Sequence, residues 1–256
     1  MSLSSKTKQF SIATGLYRPA RWLSQRVRPD QGRRFRDDVA LYRSLLPHGG
    51  GALCFDVGAN IGGKSQALAL AGAKIVAFEP SCQVLPELRA RCGHLQNWTL
   101  IQAAVGSEAG IATLFARQNH AQSSLAENRE GTPAASHSVP VVTLDAAIKH
   151  FGRPYFCKID VEGWELEVLR GLSEPIPLIS FEFHLRDAEI ARARACLQRL
   201  LELGGTAANV TPAESSRFLF QEWMPLGRFL EWFPGNLAQT LPRDQYGDIF
   251  VRSEAR

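Results

Sequence analysis

Asp56, Gly58, Asn60 and Gly62 stand at alternate positions of FDVGANIGG, and seventeen residues beyond Gly62 an acid, Glu79, closes KIVAFE. Glycines directly after a strand let the backbone turn sharply and approach a ligand with no Cβ in the way. An acid ending the next strand can accept both hydroxyls of a ribose. Together they describe a seat for a nucleoside-bearing cofactor. A pyrophosphate fingerprint would read GxGxxG, whereas this loop reads GANIGG. Asp56 at the head of the loop suits a ligand with positive charge, such as the ammonium or sulfonium of S-adenosylmethionine, and disfavours NAD. Glycines serving only as turn punctuation are the bland alternative.

A second group of charges interrupts an apolar run. In YFCKIDVEGWELEVL, residues 155–169, Lys158, Asp160 and Glu162 sit where a buried strand and its exit are expected. Strand alternation puts Lys158 and Asp160 on one face and Cys157 and Ile159 on the other. In LISFEFH it groups Ser180, Glu182 and His184, with Phe181 and Phe183 opposite. Both strands should end at the carboxyl edge of a parallel sheet, where ligands bind, so Asp160, Glu162, Glu182 and His184 converge there. Carboxylates beside an imidazole suit proton transfer, and His184, oriented by a nearby carboxylate, is the candidate general base. A strand-end histidine with a purely structural part is the other reading. Lys158 is either the ion-pair partner of Asp160 or Glu182, or a base whose pKa burial lowers. Asp160, Glu182 and His184 are also ligand types for a divalent cation. Their spacing does not demand one, and no metal is expected.

These residues require a frame of alternating strands and helices. Strands are expected at 52–57, 74–79, 98–105, 155–160 and 178–184, and helices at 37–46, 63–70, 83–92, 144–150, 164–171 and 188–203. Strands that are apolar throughout and alternate with helices point to a parallel sheet covered on both faces. Residues 111–143 break the rhythm. Ile111–Phe115 and Val139–Val142 flank a polar stretch, as in an inserted hairpin or lid. Phe218–Gln221 and Ile249–Val251 are candidates for a last pair of strands.

CFDVGANIGGKSQALALAGAKIVAFEPS, VVTLDAAI and KIDVEGWELEVLRGL, in that order over about residues 52–184, resemble the FkbM family of S-adenosylmethionine-dependent methyltransferases. The resemblance implies a class I methyltransferase: an α/β three-layer sandwich on a Rossmann-like, seven-stranded, mostly parallel sheet with an antiparallel terminal strand. It implies O-methylation of a sugar, polysaccharide or polyketide hydroxyl. By position, Asp56, Gly58 and Asn60 line the methionine end, with Gly62 in the same loop. Glu79 holds the ribose, Gln102 and Ala104 flank the adenine, and Asp160 also borders the cofactor. Ser124, in Ser123-Ser124-Leu125, matches a serine-leucine element that folds over it. Methyl transfer is an in-line displacement, for which the acceptor oxygen is held about 3 Å from the methyl carbon. An aliphatic hydroxyl also needs a base, which gives His184, Asp160, Lys158 and Glu182 their catalytic candidacy.

The whole chain fits this reading. It has 256 residues, 45% of them hydrophobic and 21% charged, enough for one large α/β domain with no staple. The five cysteines (54, 82, 92, 157, 196) are odd in number and never spaced CxxC, which argues against a zinc site and for a reducing cytoplasm. No apolar run approaches the ~18 residues of a membrane span. The net charge of +4 is uneven: residues 1–36 carry nine Lys/Arg and one acid. Residues 1–50 therefore read as a basic leader, and 51–256 as the methyltransferase domain with its insertion at about 111–143. A basic arm solvates well, and it can also meet anionic lipid or nucleic acid. A nucleic-acid methyltransferase is one rival, although KIDVEG resembles no Asn/Asp-Pro-Pro-Tyr/Phe motif. A non-catalytic partner protein is the other, although it would be expected to lose Asp56, Glu79 or the carboxyl-edge cluster. Oligomeric state is not legible.

Overall fold

The computed structural model describes residues 29–116, 125, 135–213, 215–240 and 246–254. The first strand, β1 (Leu53–Val57), is apolar apart from Asp56 and buried at four of its five positions. A run with no solvent face belongs inside a sheet covered on both sides. It lies parallel between β2 (Lys74–Phe78) and β7 (Phe156–Ile159). β3 (Trp98–Ile101) extends the parallel set beyond β2, and β8 (Leu178–His184) extends it beyond β7. The chain then reverses. β11 (Tyr246–Ser253) runs antiparallel to β8, β9 (Gly205–Pro212) antiparallel to β11, and the two-residue β10 (Met224–Pro225) antiparallel to β9. The order is β10-β9-β11-β8-β7-β1-β2-β3.

Alternation along these strands divides the core in two. On one face, Phe55, Cys157, Ile179 and Ile249 pack with α4 (Leu144–Phe151), α5 (Glu165–Arg170), α6 (Asp187–Glu202) and α7 (Leu226–Trp232). On the other, Cys54, Ile75, Phe156 and Phe250 pack with α1 (Pro29–Leu45), α2 (Gly63–Leu70) and α3 (Leu85–Cys92). A last short helix, α8 (Gly235–Thr240), precedes β11. Lateral pairing puts Asp56 beside Lys158, and Lys158 beside Ser180, on the α1–α3 side. Two residues further along, at the carboxyl edge, the same side carries Asp160 and Glu182, with Asp248 of β11 opposite Glu182. The charged row is thus built by register.

The expected class holds, with differences that have physical causes. The sheet has eight strands where seven were expected, because Met224–Pro225 adds an edge pair. The reversed strand β11 lies inside the sheet, between β8 and β9. The strand expected at 98–105 is two: β3 stays in the main sheet, while β4 (Ala104–Val105) pairs with β6 (Ala135–Val142) in a second sheet. β6 in turn pairs antiparallel with β5 (Gly110–Ala116), which makes the expected hairpin. Phe218–Gln221 forms no strand. Gly205–Pro212 does, despite its Gly, Asn and Pro content, because it buries Ala208 and Val210 beside β11.

α1 begins at Pro29, eight residues before the helix expected from Asp37, with proline in the first turn where its missing N–H costs nothing. Within the leader expected over residues 1–50, residues 1–28 lie outside the described residues. Tyr42 and Leu45 of α1, and Leu46 just after it, are buried against the sheet. Among the described residues, no helix is long and apolar enough to cross a membrane.

Candidate active site

The loop after β1 is bound to its neighbours at both ends. Gly58 adopts φ +84°, and a Cβ there would stand 1.8 Å from the carbonyl oxygen of Asp160, so only glycine lets the β1 and β7 exits touch. Gly62, at φ +80°, leaves room for Leu88 and Cys92. Between them Asn60 takes φ +49°, a strained region for a side-chain-bearing residue. That backbone is held by Glu79, whose Oε2 accepts the Asn60 N–H at 2.7 Å while its Oε1 accepts the Ser81 N–H at 2.8 Å. Burial pushes the Glu79 carboxyl up to about 7, against those two donors.

The loop after β7 has its own strap. Glu162 at φ +56° and Gly163 at φ +96° turn the chain out of the strand. The buried Glu165 accepts the N–H of Gly163 at 2.9 Å and of Val161 at 3.3 Å. Thr143 and Asp145 of the TLDAAI segment brace the far side: Thr143 Oγ1 caps α4 through the Ala146 N–H, and Asp145 accepts the Ser173 N–H. Sequence reasoning did not single out Glu165. Its position three residues after Glu162, at a helix start, is the signal that could have found it.

Between the two loops opens a cavity of about 230 Å³, lined by Val57–Asn60 without Ala59, by Phe78–Pro80, Val84, Ala103–Val105, Leu114, Leu125, Asp160–Glu162, Trp164 and Glu182. Among the described residues, its lining holds four carboxylates and no lysine, arginine or histidine. Asp160, Glu162 and Glu182 offer oxygens within 4.8 Å of one another. Burial, and then the neighbouring Asp160, raise the pKa of Glu182. The indole nitrogen of Trp164 is buried there with no hydrogen-bond partner among the described residues. An acid-lined cleft with an apolar end and an unsatisfied N–H fits a cationic ligand that carries a flat heteroaromatic group.

Asp56 lies below the loop, buried, with Ser65 Oγ donating to it at 2.6 Å. Burial raises its pKa against the opposing pull of Lys158. Lys158 is 2% exposed and donates to Asp160 Oδ2 at 2.8 Å. Burial works against the Lys158 ammonium, but Asp160, Asp248 and Asp56 outweigh it and hold its pKa above the ordinary lysine value. Asp160 is pulled below its ordinary range by Lys158 in spite of burial. Asp56 and Lys158 line a second cavity, of about 570 Å³, on the α1 side of the glycine loop. Gly58, Asn60 and Asp160 line both cavities.

His184 lies outside both linings. Its Nε2 is 3.3 Å from Glu182 Oε2, its Nδ1 is 3.9 Å from Glu189, and its ring stacks on Tyr246. Ala104 lines the first cavity, whereas Gln102 is exposed and outside it. Ser124 lies outside the described residues, next to Leu125, which does reach the cavity. Trp164 is a wall of the site.

A mostly parallel sheet with two reversed strands, β11 and the two-residue β10, two glycine-bearing loops at its carboxyl edge and an acid closing β2 define a class I methyltransferase. The chain belongs to the FkbM methyltransferase family, whose domain matches residues 56–223. The cofactor of that family is S-adenosylmethionine, and the acid-lined cavity fits its charge. Solved structures similar to this chain include a putative RNA methyltransferase from Pyrococcus horikoshii, at 12% identity and TM-score 0.47 over 86% of this chain and 83% of that one. The fibrillarin of Aeropyrum pernix, crystallised with natively bound S-adenosyl-L-methionine, is similar at 11% identity and TM-score 0.45 over 80% and 68%. A precorrin-6y C5,15-methyltransferase from Geobacter metallireducens is similar at 14% and 0.42 over 84% and 87%. No curated protein matches the sequence.

Proposed function

We propose that the protein is an O-methyltransferase that moves a methyl group from S-adenosylmethionine to a hydroxyl of a sugar, polysaccharide or polyketide-type metabolite. The observation that carries this reading is the pair of cavities sharing Gly58, Asn60 and Asp160. A donor in one and an acceptor in the other approach each other across that wall, as in-line transfer requires. When bound, the donor supplies a methyl carbon activated by a positively charged sulfur.

The chain's residues do the rest. Glu79 is placed to accept the ribose hydroxyls, and the carboxylates around Asp160 offset the donor's positive charge. Lys158, held protonated by three acids, does not take a proton; it positions Asp160. The raised pKa of Glu182 makes it a stronger base than an ordinary carboxylate, with His184 behind it at 3.3 Å. We assign the base to this Glu182–His184 pair. The compartment we infer is the cytoplasm, since all five cysteines are unpaired.

Incubation with S-adenosylmethionine and a panel of sugars and polyketide alcohols, followed by mass-spectrometric localisation, should place the new methyl on oxygen. A methyl on nitrogen or carbon, or on RNA alone, would overturn the reading.

A further inference from the structure

Glu182 lines the donor-side cavity, and a file of side chains leads away from it. His184 Nε2 lies 3.3 Å from Glu182 Oε2, and His184 Nδ1 lies 3.9 Å from Glu189 Oε2. Three elements build this file. β8 carries Glu182 and His184 two residues apart on one face, and α6 carries Glu189 in its first turn. β11 carries Tyr246, whose register opposite His184 stacks its ring on the imidazole at 5.3 Å. Glu182, His184 and Glu189 border a cleft of about 20 Å³, room for one water.

Of the charged groups around the ring, Glu182 and Glu189 approach its two nitrogens. Asp160 on β7 and Asp248 on β11 flank Glu182 by register, while Arg192 and Glu165 border the cleft. A carboxylate facing each nitrogen gives the imidazole a direction. Glu189 favours the tautomer with its proton on Nδ1, which turns the lone pair of Nε2 toward Glu182. It also stabilises the imidazolium that forms when Nε2 takes a proton.

We propose that Glu189 is a positioning residue for methyl transfer, the third member of a Glu182–His184–Glu189 relay that draws the acceptor's proton out of the donor-side cavity. This rests on the hydroxyl-methylation reading above. As the acceptor oxygen bonds to the methyl carbon and the pair of the broken carbon–sulfur bond stays on sulfur, the hydroxyl proton passes to Glu182. Glu182 hands it to His184 Nε2, and the ring, 25% exposed, releases it to water. Glu189 itself touches no reacting atom; it acts through the ring.

The test follows the His184 ring by NMR in the full chain saturated with S-adenosylhomocysteine, its signal identified by loss in His184→Gln. Glu189→Gln should lower the ring's titration midpoint by at least about half a pH unit, and Glu189→Asp, which keeps the charge, should restore at least half of that shift. With an alcohol that the panel above finds methylated, Glu189→Gln should lower kcat about tenfold and move its acid limb to lower pH with the ring. S-adenosylhomocysteine affinity should stay within about twofold. An acid that serves only the first turn of α6 would change the unfolding midpoint and leave the ring's titration in place. That result, or an unchanged kcat, would overturn the proposal. A lowered ring midpoint with the methyl found on nitrogen or carbon would support Glu189's hold on His184 and overturn hydroxyl methylation instead.

Discussion

Glu79 ties the loop after β1 to the exit of β2, and on the proposed reading its titration is visible in donor binding. Burial raises its folded pKa from the ordinary carboxylate value of 4.5 to about 7. Between these values the folded chain holds a proton that the unfolded chain has released, so Glu79's contribution to stability falls as pH rises through that window. On the proposed reading the ribose hydroxyls donate to the ionised carboxylate, so donor binding has the opposite preference. The affinity for S-adenosylmethionine should rise between pH 6 and 8, with a proton released on binding, measurable by calorimetry in two buffers. A flat profile would separate Glu79 from the donor. Lys158 makes a different prediction. With its pKa raised and that of Asp160 lowered, their pair contributes fully between the two ranges and is lost as pH falls through the Asp160 range or rises through that of Lys158. Lys158→Met should therefore cost about 2–4 kcal/mol at pH 7.5 by denaturant unfolding, Asp160's partial exposure keeping the figure below that of a fully buried pair. A loss under about 0.5 kcal/mol would show that the pair is not structural.

The two loops depend on each other as elements. Gly58→Ala forces a Cβ against the Asp160 carbonyl, so the loop must move from Glu79 or from β7. The expected outcome is about 1–3 kcal/mol lost in stability, and donor binding lost with it. Gly110→Ala, where an added Cβ meets nothing within 4 Å, is the control and should change neither. Much of this was legible beforehand. The strand at 178–184 matches its expected bounds, and the DVGAN and KIDVEG stretches do lie at adjacent strand ends, because apolar parallel strands and their glycine exits are local patterns. The α1 wall was not legible. Arg34, Phe35 and Arg91 line the second cavity, lie outside the motifs and reach it only through helix packing. β9 was hidden because Gly205, Asn209 and Pro212 read as loop, while burial beside β11 decides its state. His184 shared a strand face with Glu182 as expected, yet it sits beside the donor cavity, a distinction that strand alternation alone cannot make.

At the scale of the molecule, the account rests on charge. A basic chain keeps an acid-lined cavity at its sheet edge, and the donor's positive charges are the complement that cavity lacks. Methyl transfer should therefore survive exhaustive chelation, with the initial rate measured before and after; loss restored by a divalent cation would mean that Asp160, Glu162 and Glu182 hold a metal instead. The most direct test of the central claim, that this cavity seats S-adenosylmethionine, is titration calorimetry on the wild-type chain and on Glu79→Ala. The account predicts one S-adenosylmethionine per wild-type chain, at least about tenfold weaker binding to the variant, and no heat from NAD. Binding of NAD, or S-adenosylmethionine affinity indifferent to Glu79, would contradict it.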